Sequence, residues 1–132
     1  MLTETWLNKY DSAKICEMTP VTHTFLHAPR ADKRGGGVGI FISNAFSKIK
    51  KEKVPKTDNF ELMQASCMYG GNRLIFIVVY RSPRSNEALF HEEFRLYLES
   101  IDTVGSQILV CGDFNYWVDG NRAQASRFSR RG

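Results

Sequence analysis

The chain reads as an α+β layered domain, a mixed sheet with one helix packed on it. Three features predict this. A Gly70-Gly71-Asn72 turn signal separates two strand-like runs, one amphipathic stretch follows, and after it an apolar run, Gln107–Cys111, ends in Gly112-Asp113-Phe114-Asn115. Strands joined by a hairpin, then a helix, then a further strand is the order of a sheet with a covering layer. At 132 residues the chain is long enough for one domain with a core and too short for two comfortable ones.

The elements follow in order. Leu2-Thr3-Glu4-Thr5-Trp6 is a short strand-like start. Val21–His27 and Val38–Ser43 read as strands, the second entered through Gly35-Gly36-Gly37. Glu61–Tyr69 and Arg73–Tyr80 form the arms of the hairpin. Leu74–Val79 is apolar throughout, which predicts a central strand, and Pro83 ends it. A helix is expected from about Asn86 to Val104. Phe90, Phe94, Tyr97, Leu98 and Ile101 form its apolar stripe, Asn86 its N-cap and Gly105 its stop. The run before Gly112 predicts a strand buried on both faces in the middle of a sheet, broken by that glycine. At strand spacing Asp113 and Asn115 would then point the same way, placing an acceptor and a mixed donor/acceptor at one spot. Such a pair suits a water or a phosphate oxygen.

Composition narrows the class. Apolar residues are 42% and charged residues 24%, ordinary for a globular protein. No apolar stretch approaches the ~20 residues of a membrane span, and the first residues show no signal-peptide pattern. Cys16, Cys67 and Cys111 are an odd count without metal spacing, which predicts buried free thiols and an intracellular, nuclear or cytoplasmic setting rather than secretion. The net charge is +4, and the cations cluster: Arg30, Lys33 and Arg34; Lys48, Lys50, Lys51, Lys53 and Lys56; Arg122, Arg127, Arg130 and Arg131. Clusters of this kind favour a polyanion such as DNA or RNA, and equally describe a solvated basic face.

The candidate chemistry is sparse. Glu4 reads either as a surface acid or as an oxygen ligand for a hard cation such as Mg²⁺. Tyr80 closes the central strand, with its phenol either in water or aimed at a phosphate and Arg81 beside it as a cation. Arg34-Gly35-Gly36-Gly37-Val38-Gly39 precedes a strand rather than a helix, so it fits a close approach of backbone layers and not a phosphate loop. No Walker-A partner, nucleophile elbow or metal-spaced histidine set is present, and His23, His27 and His91 read as surface or rim residues.

Taken together and in this order, Leu2–Leu7, Arg34–Ile40, Tyr80-Arg81-Ser82-Pro83, the Phe90/Phe94 helix and Gly112-Asp113-Phe114-Asn115 resemble the endonuclease/exonuclease/phosphatase superfamily. The likeness covers nearly the whole chain and is greatest to the apurinic-type endonuclease domain of non-LTR (LINE-type) retrotransposons. It implies a two-sheet α/β sandwich that hydrolyses phosphodiester bonds with Mg²⁺ or Mn²⁺. By the same likeness Glu4 matches the metal-binding glutamate and Tyr80 the tyrosine that contacts the scissile phosphate. Asp113 matches the aspartate that orients or activates water, and Asn115 the asparagine that steadies the transition state. The basic clusters would hold DNA by its phosphates, with no membrane involved. The superfamily's first asparagine strand and its Ser-Asp-His element have no counterpart in residues 1–132, so a single, incomplete domain is expected. Two alternatives stand beside nicking: a catalytically inactive nucleic-acid-binding fragment, and a phosphatase or phosphodiesterase acting on a small or lipid phosphate.

Overall fold

The computed structural model describes residues 1–5, 7, 11–29 and 36–116. Two sheets lie face to face. β1 (Leu2–Thr3), β2 (His23–Ala28) and β3 (Val38–Ser43) form an antiparallel sheet of order β1-β3-β2. β4 (Ser47–Glu52), β5 (Glu61–Tyr69), β6 (Asn72–Tyr80) and β7 (Ser106–Asp113) form a second sheet of order β4-β5-β6-β7. Its β6–β7 pair is parallel and the others antiparallel, so the sheet is mixed. The expected α+β sandwich is therefore present.

The β5–β6 hairpin turns on Gly70 and Gly71, at φ +57° and +81°. Two successive left-handed residues make the primed turn whose twist suits a hairpin, and they set Tyr69 opposite Asn72. β6 lies inside the sheet as expected, with Ile75, Ile77, Val78 and Val79 buried.

Alternation then divides the core in two. Met63, Ala65, Val78 and Tyr80 face Val38, Ile40 and Ile42 of the other sheet. Leu62, Ile75, Ile77 and Val79 point the opposite way, toward Phe90 and Tyr97 of α2 (Glu87–Ser100). Asn86 caps α2, its side chain accepting the Leu89 N–H at 3.1 Å. The helix stops at Ser100, short of Val104. Asp102 accepts the Val104 N–H at 3.1 Å, a local turn that competes with helix. Gly105, at φ +69°, serves the turn into β7 and not the helix end. Leu98 lies at the exposed margin of the stripe.

Two elements have no sequence counterpart above. α1 (Ser12–Met18) is seven residues, too short for an apolar stripe to be visible. β4 was hidden by its charge: Ser47-Lys48-Ile49-Lys50-Lys51-Glu52 is an edge strand with a bulge between Ser47 and Lys50. Lysines and a bulge are how an edge strand discourages further pairing. β2 also starts two residues later than expected, leaving Val21 almost fully exposed.

β7 departs most from expectation. Among the described residues it is the other edge of the mixed sheet, and Ile108, Leu109 and Val110 are 38%, 55% and 38% exposed. An apolar run reports compatibility with burial on both faces, not the order in which strands assemble. Nor does Gly112 break the strand, which continues through it to Asp113. A Cβ at Gly112 would stand 2.0 Å from the Val79 carbonyl oxygen. The glycine is required by the close approach of β7 to β6. All three cysteines are free thiols, but the expected burial holds fully only for Cys67: Cys111 is half-buried on this rim, and Cys16, on the short α1, is exposed.

Candidate functional site

The β5–β6 and β6–β7 registers bring one end of the mixed sheet to a point. Tyr80 pairs with Glu61 on one side and Asp113 on the other. Tyr80 faces the inter-sheet core and is 5% exposed, and its hydroxyl lies toward the Glu4 carboxylate just beyond β1. Burial, the hold of that carboxylate on the phenol proton, and the charges of Glu4, Asp113 and Glu61 push its pKa up to about 12. Tyr80 therefore stays a phenol at neutral pH, a donor and not a phenolate nucleophile.

Asp113 is exposed and Asn115 half-buried, but strand alternation does not align them. β7 ends at Asp113 and Asn115 has φ +50°. Asp113 Oδ1 accepts the Asn115 N–H at 3.1 Å, closing an Asx-type turn. The Asn115 side-chain amide donates to the Arg81 carbonyl oxygen. The two side chains are thus held near one another by a turn rather than by a shared sheet face.

Arg81 is not a free cation beside Tyr80. It is 5% exposed, and its guanidinium is spent on the loop after β7. Nη1 donates to the Phe114 and Asn115 carbonyls at 3.0 and 3.3 Å, and Nε and Nη2 to Ser85 Oγ and O at 3.1 and 3.2 Å. Phe90 and Tyr116 rings flank it, 5.7 and 5.5 Å from the guanidinium carbon. Its own N–H donates to the Asp113 carbonyl at 2.9 Å. Arg81 therefore clamps the Asp113–Asn115 turn to the end of β6. His91, on α2, hydrogen-bonds Tyr116 of the same loop.

Glu61 was missed in the sequence. Its signal was the hairpin itself, because counting back from Tyr69 opposite Asn72 puts residue 61 opposite Tyr80. Glu61 Oε1 accepts the Gly37 N–H at 2.9 Å. The glycine segment is the close approach its sequence suggests: a Cβ on Gly37 would lie 2.5 Å from Thr5 Oγ1, and one on Gly39 2.7 Å from the Phe25 ring.

Among the described residues, no three His, Cys, Asp or Glu side chains stand close enough to hold a metal ion between them. The Glu4 carboxylate still fits Mg²⁺ or Mn²⁺, since hard ions of this kind are often bound through one or two carboxylates plus water and substrate phosphate. Of the basic clusters, Arg30, Lys33, Arg34 and those from Arg122 onward lie outside the described residues. Lys48 and Lys50 line a surface cavity with Arg73, toward the other end of the mixed sheet. Lys51 is partly committed, its Nζ donating to the His27 carbonyl at 3.1 Å. No helix among the described residues is long and apolar enough to cross a membrane.

Two facing sheets form an α+β sandwich, with Tyr80, Asn115 and three carboxylates, Glu4, Glu61 and Asp113, near one end of the mixed sheet. The chain belongs to the Endonuclease/Exonuclease/phosphatase family, whose family model matches residues 1–130. Members of this family are hydrolytic nucleases and phosphatases that generally use divalent metals. No curated protein matches the chain in sequence. Among solved structures it is similar to a humanized D. rerio TDP2 carrying 14 mutations, at 18% identity and TM-score 0.61, over 96% of this chain and 54% of that one. It is similar also to D. rerio TDP2 complexed with single strand DNA product, at 15% identity and TM-score 0.60, over 97% and 50%. At these identities the likeness is one of fold, and the chain spans about half the length of the structures it matches.

Proposed function

We propose that the chain is a metal-dependent phosphodiester hydrolase that nicks DNA, of the kind found in non-LTR retrotransposons. The observation that carries this reading is the Tyr80 hydroxyl held against Glu4, with Asp113 paired to Tyr80 across the sheet end. The retrotransposon origin is supported by the order of the Leu2–Leu7, Tyr80–Pro83 and Gly112–Asn115 segments.

In this reading Glu4 holds Mg²⁺ or Mn²⁺, which when bound offsets charge on the phosphoryl oxygens and assists the leaving group. Tyr80, protonated at neutral pH, has a single O–H, which would turn from the Glu4 carboxylate to a phosphate oxygen once that carboxylate is engaged by the metal. The exposed Asp113 carboxylate accepts a hydrogen bond from water and aims it in line with the phosphorus. Asn115 has two amide hydrogens, and with one given to the Arg81 carbonyl the other is left for an oxygen gaining charge. DNA is held through its backbone by the lysines of β4 and by Arg73. Arg73 and Tyr80 are seven residue steps apart along β6, roughly 23 Å at strand rise, or about seven nucleotide steps.

The test is Mg²⁺-dependent nicking of supercoiled plasmid, expected for the wild type and lost in Asp113→Ala. Absence of nicking by the wild type sinks the enzymatic reading. A second reading, a nucleic-acid-binding module without catalysis, is favoured by the gathering of Lys48, Lys50 and Arg73 at one surface cavity. Its signature is salt-dependent DNA binding with no cleavage. A phosphatase of the same family would instead release phosphate from small or lipid substrates.

A further inference from the structure

β1 is only two residues long, with Leu2 opposite Gly39 and Thr3 opposite Val38. So short a ladder cannot by itself set the position of Glu4, which follows it at φ +49°. That is a left-handed conformation a glutamate keeps only when its surroundings hold it. The next anchor is Thr5, whose N–H donates to the Gly37 carbonyl at 3.2 Å. Gly37 is buried at φ +89°, with no room for a Cβ beside Thr5 Oγ1. Its N–H is in turn taken by Glu61 Oε1 on β5, the residue paired with Tyr80. The chain of contacts thus runs from the mixed sheet, through one glycine, to the residue after Glu4, and it crosses between the sheets where Glu4 meets Tyr80.

We propose that Glu61 is a positioning residue for Glu4: by accepting the Gly37 N–H it locks the corner to which Thr5 is bonded, and so sets where the Glu4 carboxylate stands. This rests on the reading of Glu4 as a metal ligand, while the bond network itself does not. Glu61 acts through its oxygen as an acceptor, so glutamine can replace it and an aliphatic side chain cannot.

The experiment compares the full chain with Glu61→Gln and Glu61→Ala. If the alanine variant does not fold, Glu61→Met keeps the bulk without the acceptor. Amide hydrogen exchange at Gly37 and Thr5 is read first. Loss of one hydrogen bond at this corner is expected to speed both about tenfold in Glu61→Ala and leave Glu61→Gln near wild type. Mn²⁺ affinity, from the spectrum of the free ion, is read second. Both variants lose the charge and only one loses the acceptor, so Glu61→Ala is expected to bind about tenfold more weakly than Glu61→Gln. Unchanged Gly37 and Thr5 exchange in Glu61→Ala overturns the proposal. Equal Mn²⁺ affinity of the two variants overturns it as well, since Glu61 would then act by charge alone. A wild type that binds no Mn²⁺ refutes the metal-dependent reading instead, and the exchange data then decide the positioning role by themselves.

Discussion

Gly112→Ala is the sharpest perturbation the structure offers. The added Cβ would lie 2.0 Å from the Val79 carbonyl oxygen, 2.8 Å from its carbon and 3.0 Å from its nitrogen. All three are backbone atoms of the central strand, so no side-chain rotation relieves the clash. Ordinary contact begins at 3.4 Å, so β7 must retreat by more than 1 Å at this point. Overpacking of this kind costs about 1–3 kcal/mol, and loosening one or two ladder bonds adds about 1 kcal/mol each. A loss of about 3 kcal/mol in unfolding free energy is therefore expected, measured by urea denaturation. The Arg81 amide, which donates to the Asp113 carbonyl at 2.9 Å, is expected to lose exchange protection in the same variant. Displacing Asp113 by an ångström would also cut nicking about a hundredfold. A variant within about 1 kcal/mol of wild type, with Arg81 still protected, would refute the close-approach argument.

Other outcomes follow from the same geometry. Arg81→Ala strands the Ser85, Phe114 and Asn115 carbonyls and is expected to cost about 3 kcal/mol, while Arg81→Lys costs about 2 because one ammonium cannot serve both ends of the fork; urea midpoints within 0.5 kcal/mol of wild type would contradict the clamp. Tyr80 and Tyr97 are both pushed up from 10.0 to about 12, chiefly by burial. The unfolded chain loses these protons first, so stability is intact below pH 10 and falls as pH rises toward 12. The loss is at most about 3 kcal/mol per tyrosine, and it should shrink in Tyr80→Phe and Tyr97→Phe. Asn86→Ala removes the acceptor for Leu89 and should lower stability by about 1 kcal/mol, read as a shift in the thermal midpoint.

Local patterns were legible in the sequence where the residues decide them locally. Gly70-Gly71 needs left-handed backbone, and that marked a hairpin; its register was not read, because Asn72, taken as part of the turn, instead opens β6 opposite Tyr69. The Phe90/Phe94/Tyr97 stripe and Asn86 marked α2 because helix faces and caps are properties of neighbours three and four apart. The order of strands is not local, so β7 could be recognised as a strand but not as an edge. β4 was concealed because the lysines that protect an edge look like those of a solvated loop. In the site, Glu4 and Tyr80 were visible as residue types, but their contact depends on two sheets meeting. Arg81 was misread because a charged side chain is expected outside, and only the carbonyls and rings around it make its burial favourable.

The two rims of the mixed sheet, among the described residues, differ in charge. β4 presents Lys48, Lys50 and Lys51 and a bulge, whereas β7 runs from Ser106 to Gly112 without a charge. Of the two, only the β7 rim lacks charges that oppose strand addition. Were two copies to meet rim to rim through β7, both outward rims of the combined sheet would be lysine-bearing β4 strands, and addition would end there. The larger sheet can be capped once, and its own charge pattern opposes its growth into a fibre.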